Sequence, residues 1–170
     1  GVATSIGQNG MMGLALHKNF KQGTGEDYIY IAYSYNSTSL RISRFTYNIS
    51  TGQLGSELQL INGISAGGDH SSGRLFFGAD DKLYYSCGDQ GANQFANRCN
   101  PILAQETPTQ AELTAQNYLK YQGKILRINL NGTIPADNTL FDPDGGGPQV
   151  AVRSHVFTTG HRNPQGLVFE

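Results

Sequence analysis

Short segments of alternating side chains, separated by tight turns, are the feature that most restricts how this chain folds. Residues 27–35 (DYIYIAYSY) place aromatic and isoleucine side chains on alternating faces, and residues 40–47 (LRISRFTY) follow the turn at residues 36–38. Such alternation is typical of β-strands. The two segments are predicted to form an antiparallel hairpin.

A second hairpin is predicted from residues 73–77 to residues 82–87. Its turn, GADD, suits the task because glycine and aspartate tolerate the conformations that tight turns demand. Further strands are predicted at residues 124–130, 154–158 and 166–169. The pattern indicates an all-β fold of antiparallel hairpins and leaves a sandwich, a barrel and a propeller open.

Two connections and one helix complete the predicted organisation. Thr109 and Glu112 have the spacing of a capping box, which predicts a short helix over residues 111–119. Residues 92–109 lack periodicity, and long ordered loops on β scaffolds often carry function. Residues 142–148 (DPDGGGP) are predicted to form a flexible surface excursion.

Composition excludes some partners. The 12 basic and 13 acidic residues form no positive stripe, so no nucleic-acid partner is expected. No apolar run approaches the ~20 residues that cross a bilayer, so no membrane insertion is expected.

Cys87 and Cys99 lack nearby histidine partners for a metal. Their spacing leaves a disulfide and two free thiols open.

His70 and Asp89 are candidate catalytic residues because they flank the second predicted hairpin. The loop before its first strand and the loop after its second strand emerge at the same end of a sheet. A histidine held by a carboxylate can take a proton and be stabilised as the imidazolium. Spacing alone favours the alternative, a histidine that hydrogen-bonds a turn and an ordinary turn aspartate.

Two further segments present polar side chains between glycines. Pro164 stiffens the loop that carries Arg162 and Asn163, and such a loop could hold a carbonyl or a developing oxyanion. The alternative is an arginine that caps backbone carbonyls. Gln8 lies in the segment GQNG, where an amide could bind a polyol or simply form a polar turn.

Six segments carry a resemblance to one family, and they follow one another in the family's order. They are GQNGMMGLALHKNF from Gly7, DHSSGRL from Asp69, KLYYSCGDQGANQ from Lys82, TPTQAEL from Thr107, YQGKILRINLNGTIPADN from Tyr121 and GHRNPQGL from Gly160. Together they resemble the glucose/sorbosone dehydrogenase family, and within it the soluble quinoprotein glucose dehydrogenases. GHRNPQG and GKILRINLNG alone indicate the broad family, whereas DHSSGRL, KLYYSCGDQGANQ and TPTQAEL point to the soluble branch.

The resemblance implies a six-bladed β-propeller, with residues 1–170 as an N-terminal portion of roughly half its length. It implies oxidation of an aldose at C1 to the lactone, with hydride transfer to pyrroloquinoline quinone (PQQ) and electrons passed on to an external acceptor. By motif position the general base is His70, oriented by Asp89. The other roles fall to Arg162 and Asn163 at the quinone carbonyls and to Gln8, Asp69 and Gln94 at the sugar hydroxyls.

The same resemblance sets expectations outside these residues. Calcium is an expected cofactor, with its ligands beyond residue 170, so no metal ligands are assigned here and residues 1–170 alone are expected to be inactive. A periplasmic or secreted location and a homodimer are also expected. Cys87 and Cys99 flank the loop that holds Gln94, and a disulfide between them is the working hypothesis.

Two other functions remain open from the sequence. A propeller could have kept its scaffold as a non-catalytic sugar- or calcium-binding module, or could act as a calcium-dependent hydrolase. A base and a carbonyl clamp together favour the dehydrogenase, because a binding scaffold needs neither.

Overall fold

The first half of the chain forms a four-stranded antiparallel sheet. The computed structural model describes residues 1–3, 7–143 and 150–169. The strands are β1 (Met11–Leu16), β2 (Tyr28–Ser34), β3 (Ser39–Asn48) and β4 (Gln53–Ser65). They pair in chain order, β1-β2-β3-β4.

The second half forms another four-stranded antiparallel sheet and a small two-stranded sheet. The strands are β5 (Ser72–Phe77), β6 (Leu83–Cys87), β7 (Lys124–Ile128), β8 (Leu140–Phe141), β9 (Val152–Arg153) and β10 (Val156–Thr158). The larger sheet has the order β5-β6-β7-β10, and β8 pairs with β9. These strands are short, and a 36-residue connection separates β6 from β7.

The two larger sheets pack on one apolar core. Tyr30 and Ile42 of the first sheet and Leu83 and Leu126 of the second are fully buried in the same cluster. The first strands of the two sheets also approach closely, because a Cβ on Gly13 of β1 would lie 2.3 Å from the carbonyl oxygen of Gly73 in β5. Meander sheets packed in this way are arranged like neighbouring blades of a β-propeller.

The predicted all-β architecture is confirmed, and two predicted elements differ in extent. Helix α1 (Gln110–Thr114) has the predicted capping box but ends five residues early. Gln116 adopts φ +53°, and the Asn117 N–H bonds the Glu112 carbonyl at 2.8 Å, which closes the helix with a Schellman motif. Residues 166–169 pair with no strand among the described residues, so that predicted strand is wrong. The predicted excursion at 142–148 lies largely outside the described residues.

The hypothesised disulfide is also wrong. Cys87, the last residue of β6, is buried in the core, whereas Cys99 is exposed, and both are free thiols. Burial raises the pKa of the Cys87 thiol to about 12, so this side chain behaves as a small core residue. Across the described ranges, no helix has the length and apolar character of a membrane span.

Candidate active site

The loops at one end of the β5–β6 hairpin bring His70 and Asp89 together. The His70 Nδ1 atom lies 2.7 Å from the Asp89 Oδ1 atom. The Asp89 side chain is only 3% exposed, and its Oδ1 also accepts the Gly91 N–H at 2.9 Å. A buried carboxylate with these donors is held in one orientation and in turn fixes the imidazole.

The hydrogen bonds around His70 define its tautomer. A carboxylate accepts only, so Nδ1 carries the proton that is donated to Asp89. On the other side of the ring, Nε2 lies 3.1 Å from the Gln94 Nε2 amino group, which can only donate. In this tautomer Nε2 carries no proton, and its lone pair faces Gln94. A general base needs such a free lone pair.

Arg162 reaches the same carboxylate from the loop after β10. Its Nη1 donates to Asp89 Oδ2 at 3.0 Å, and its Nη2 donates to Gln94 Oε1 at 2.6 Å. The backbone joins in, since the Asp89 N–H donates to the Arg162 carbonyl at 2.8 Å. The guanidinium side chain is still 54% exposed, so it keeps donor capacity for a ligand.

Gln94 and Gln8 extend this network to Asp69. The Gln94 amino group donates to Asp69 Oδ2 at 2.8 Å, and the Gln8 amino group lies 3.3 Å from Asp69 Oδ1. Gln8 is also tied to the adjacent backbone, because its Oε1 accepts the Ser71 N–H at 3.2 Å. Amide and carboxylate groups so close to the base offer both donors and acceptors to a polyol.

Asn163 lies beside this network and is anchored differently. Its Oδ1 accepts hydrogen bonds from the Ser72 N–H at 3.1 Å and from the Ser72 hydroxyl at 3.0 Å. The amide is therefore fixed to the start of β5. No described residue accepts from its Nδ2 group, which can donate to a ligand.

The backbone around the base adopts uncommon conformations. His70, Ser72 and Gln90 have φ values of +42°, +54° and +59°. Left-handed backbone at non-glycine residues costs on the order of 1 kcal/mol each and is concentrated at functional sites. Position 88 leaves no room for a side chain, because a Cβ on Gly88 would lie 1.7 Å from the His70 carbonyl oxygen.

The structure thus joins six of the seven predicted site residues in one hydrogen-bonded network, and Asn163 contacts its edge through Ser72. The catalytic and binding roles of these residues stay predictions. The six are Gln8, Asp69, His70, Asp89, Gln94 and Arg162. Within the described part of the chain, no three His, Cys, Asp or Glu side chains are grouped to hold a metal ion.

Sequence reasoning missed Lys124, which lies directly behind these loops. Its side chain is fully buried at the start of β7, and its Nζ donates to backbone carbonyls rather than to solvent. A lysine at the start of the apolar segment KILRI is typical of a strand end at the surface, so the sequence carried no local signal for its burial.

Comparison with known proteins identifies the family. The chain matches Glucose / Sorbosone dehydrogenase over residues 2–170, and it belongs to that family. It is 45% identical over 174 residues to quinoprotein glucose dehydrogenase B from Acinetobacter calcoaceticus, covering 96% of this chain and 34% of that protein.

Two solved structures are similar as well. The PQQ-bound aldose sugar dehydrogenase from Streptomyces coelicolor has a TM-score of 0.65 and 26% identity, covering 94% of this chain and 39% of that chain. A glucose dehydrogenase from Thermus thermophilus has a TM-score of 0.66 and 30% identity, covering 97% of this chain and 42% of that chain. The chain therefore spans about a third of its curated relative and about two fifths of these solved chains.

Proposed function

We propose that residues 1–170 are the N-terminal portion of a six-bladed propeller that oxidises an aldose at C1 to the lactone with PQQ as cofactor. The observation that carries the proposal is the sharing of one buried carboxylate. His70 and Arg162 bind the two oxygens of Asp89, which holds a base and a cation side by side. Loss of a hydride from an aldose needs both groups.

The residues present fit the quinone. Arg162 offers a half-exposed guanidinium and Asn163 an amide amino group, and both are donors that suit carbonyl oxygens. We assign these two side chains to hold PQQ on this chain. When bound, PQQ supplies the two-electron acceptor for the hydride that leaves C1. We further propose that calcium is bound by residues outside 1–170.

The base chemistry follows from the network. In our proposal the anomeric hydroxyl replaces the Gln94 amino group at His70 Nε2, and the proton of that hydroxyl moves to Nε2 as the C1–H bond breaks. Asp89 stabilises the resulting imidazolium through Nδ1 without taking its proton. Gln8, Asp69 and Gln94 bind the remaining sugar hydroxyls, where paired donors and acceptors favour a polyol.

The cellular setting belongs to the same proposal. The protein works in the periplasm or is secreted, forms a homodimer and passes its electrons to an external acceptor. Glucose is the first sugar to test because the relatives named above include glucose dehydrogenases.

The test is dye reduction by the complete protein with glucose, PQQ and calcium. We expect turnover that requires PQQ, and a decrease in kcat of ~10²–10³-fold for Arg162→Met, because the variant lacks the cation at the acceptor carbonyl. Arg153→Met is the matched control, since Arg153 donates to the Asn138 carbonyl outside the site. Glucose binding without dye reduction would instead support a non-catalytic sugar-binding module.

A further inference from the structure

Lys124 holds a buried ammonium that the proposed reaction does not use. The Nζ atom donates to three backbone carbonyls, those of Leu103 at 2.8 Å, Ala104 at 2.9 Å and Gln122 at 2.8 Å. The side chain is 0% exposed. Burial lowers the pKa of Lys124 to about 8, so the group remains mostly protonated at neutral pH.

The three carbonyls belong to the backbone behind the candidate active site. Leu103 and Ala104 lie within the connection from β6 to β7 that carries Asp89 and Gln94, in a part of it that forms no strand. The Ala104 carbonyl also accepts the Gly160 N–H at 2.7 Å, at the start of the Arg162 loop. One ammonium therefore holds the point where the two loops meet.

Gly123, the preceding residue, joins the same loops through its backbone. Its N–H donates to the Gly88 carbonyl at 3.0 Å, and its carbonyl accepts the His161 N–H at 3.0 Å. The fit is tight, because a Cβ on Gly123 would lie 2.5 Å from both Ala104 Cβ and the His161 carbonyl oxygen. Residues next to Asp89 and Arg162 are thus tied to the start of β7.

A buried charge is a poor choice for a strand that needs only to pack. An apolar side chain would fill this position without desolvating an ammonium. A compact cation with three donors does suit three converging carbonyls, of which those of Leu103 and Ala104 also accept a backbone N–H, from Glu106 and from Gly160. The residue type therefore matches the needs of the loops better than those of the sheet.

We propose that Lys124 is a positioning residue of the dehydrogenase site, whose ammonium fixes the loop of Asp89 and Gln94 against the loop of Arg162. This inference rests on the proposed function. Displacing a catalytic group by about 1 Å can lower a rate ~10²-fold, even when the substitution lies away from the reacting atoms.

The test combines amide hydrogen exchange with kinetics in the complete protein. The variants are Lys124→Met, which removes charge and donors, and Lys124→Gln, which keeps two donors and is easier to accommodate. Leu126→Ala is the matched control, because Leu126 is fully buried on the same strand and belongs to the apolar core. The reporters are the Gly160 and Asp89 amides, with Ala32 of β2 as the reference.

We expect Lys124→Met to speed exchange at Gly160 and Asp89 at least ~10-fold relative to Ala32, and to lower kcat ~10²-fold. The sugar KM should change less than kcat, because two of the three proposed sugar ligands, Gln8 and Asp69, lie outside the loops that Lys124 holds. Lys124→Gln should show smaller changes of the same kind. Leu126→Ala should lower the thermal midpoint while leaving kcat and the relative exchange rates unchanged.

Three results would overturn the assignment. Unchanged exchange at Gly160 and Asp89, with unchanged kcat, in a folded Lys124 variant would show that Lys124 does not position these loops. Equal acceleration of exchange at Ala32 would show that the substitution destabilises the whole fold and not the loops in particular. Failure of both Lys124 variants to fold, with Leu126→Ala folded, would assign the lysine to the fold. Absence of PQQ-dependent turnover in the unsubstituted protein would reject the proposed function, while the exchange measurement would still decide the role of Lys124.

Discussion

The two larger sheets use their residues differently. In the first sheet, β3 and β4 span 10 and 13 residues and are joined by a short turn. In the second sheet, β5 and β6 span 6 and 5 residues, and most of the chain there lies in connections. Of the seven predicted site residues, only Gln8 precedes the first sheet, and the other six lie in loops of the second.

The difference extends to what holds each region together. The first sheet packs its apolar and aromatic side chains on the second, for example Tyr30 against Phe77 of β5 at 5.2 Å between ring centroids. The strands of the first sheet bury the hydroxyls of Ser34 and Ser43, whereas the second sheet and its connections bury ionisable groups, namely Asp89, Lys124, Arg127 and His155. Loops lack the regular hydrogen bonds of a ladder, so their backbone needs partners from side chains. Of these ionisable groups, Asp89 and Lys124 lie at the proposed catalytic end, whereas Arg127 binds Asp80 in the turn at the other end of the β5–β6 hairpin.

The largest expected effect comes from His70, the proposed base. If His70 takes the proton of the sugar hydroxyl as proposed, His70→Asn should lower kcat ~10²–10⁴-fold. Asparagine suits the test since it tolerates the left-handed φ of +42° at this position. Tyr33→Phe is the control in the first sheet, where it removes a 2.8 Å hydrogen bond to Glu57 and should leave kcat within ~2-fold. Equal losses in both variants would break the distinction between the sheets.

The next effect is a pH dependence from His155. Burial lowers its pKa from 6.5 to about 4, and its Nδ1 lies 2.8 Å from the Tyr121 hydroxyl. Between pH 6.5 and pH 4 the His155 side chain is therefore mostly protonated in the unfolded chain and mostly neutral in the folded protein. The free energy of unfolding should therefore fall by about 3 kcal/mol between pH 6.5 and pH 4.

Urea unfolding across this pH range measures the effect. The His155→Gln variant should give a flatter dependence, with the remaining slope set by carboxylates such as Glu57 and Asp80, whose pKa values are lowered by hydrogen bonds. Identical slopes in the two proteins would show that this buried imidazole does not make the second sheet sensitive to acid.

A smaller loss is expected from Arg127, which is 7% exposed and binds Asp80 at 2.7 Å and Asp137 at 2.7 Å. Arg127→Met should lower the free energy of unfolding by about 2 kcal/mol. This is below the ~3–5 kcal/mol of a fully buried pair because both aspartates keep some contact with water. Arg41→Met in the first sheet, where the distance to Glu57 is 4.0 Å, should cost about 1 kcal/mol or less. Chemical denaturation compares the two, and a reversed order would contradict the contrast.

The smallest effect concerns the cap of α1. Thr109→Ala should destabilise the protein by about 1 kcal/mol, because the Thr109 side chain accepts the Glu112 N–H at 3.2 Å. Thr114→Ala is the matched control, since its hydroxyl only bonds the Gln110 carbonyl within the helix. Thermal unfolding measures both, and a larger loss at position 114 would count against the capping role.

The sequence predicted the core strands well and the irregular ones poorly. The sequence shows the strand pattern directly where aromatic and branched side chains are frequent, as in β2, β3, β5, β6 and β7. The sequence did not predict β4, because it contains Gly55 and Gly63, mixes polar and apolar side chains and exposes most of its residues. Its pairing with β3 is a tertiary effect that local pattern does not encode.

The site was predictable where chain geometry fixes it. The ends of one hairpin must emerge together, so the proximity of His70 and Asp89 followed from the sequence, and the structure places them 2.7 Å apart. The bond between Arg162 and Asp89 was not predicted, since it depends on how β10 pairs with β7. The buried position of Lys124 likewise depends on a loop that folds back over the strand.

The contact between Gly88 and the His70 carbonyl leaves no room for even one methyl group. Random substitution libraries that aim to change the proposed sugar specificity should therefore keep the glycine codon at position 88 and vary the outer loop instead, where Phe95 is 92% exposed. The same position can classify newly sequenced members of this family. A chain with alanine or serine there is expected to have a different backbone position at the residue equivalent to His70.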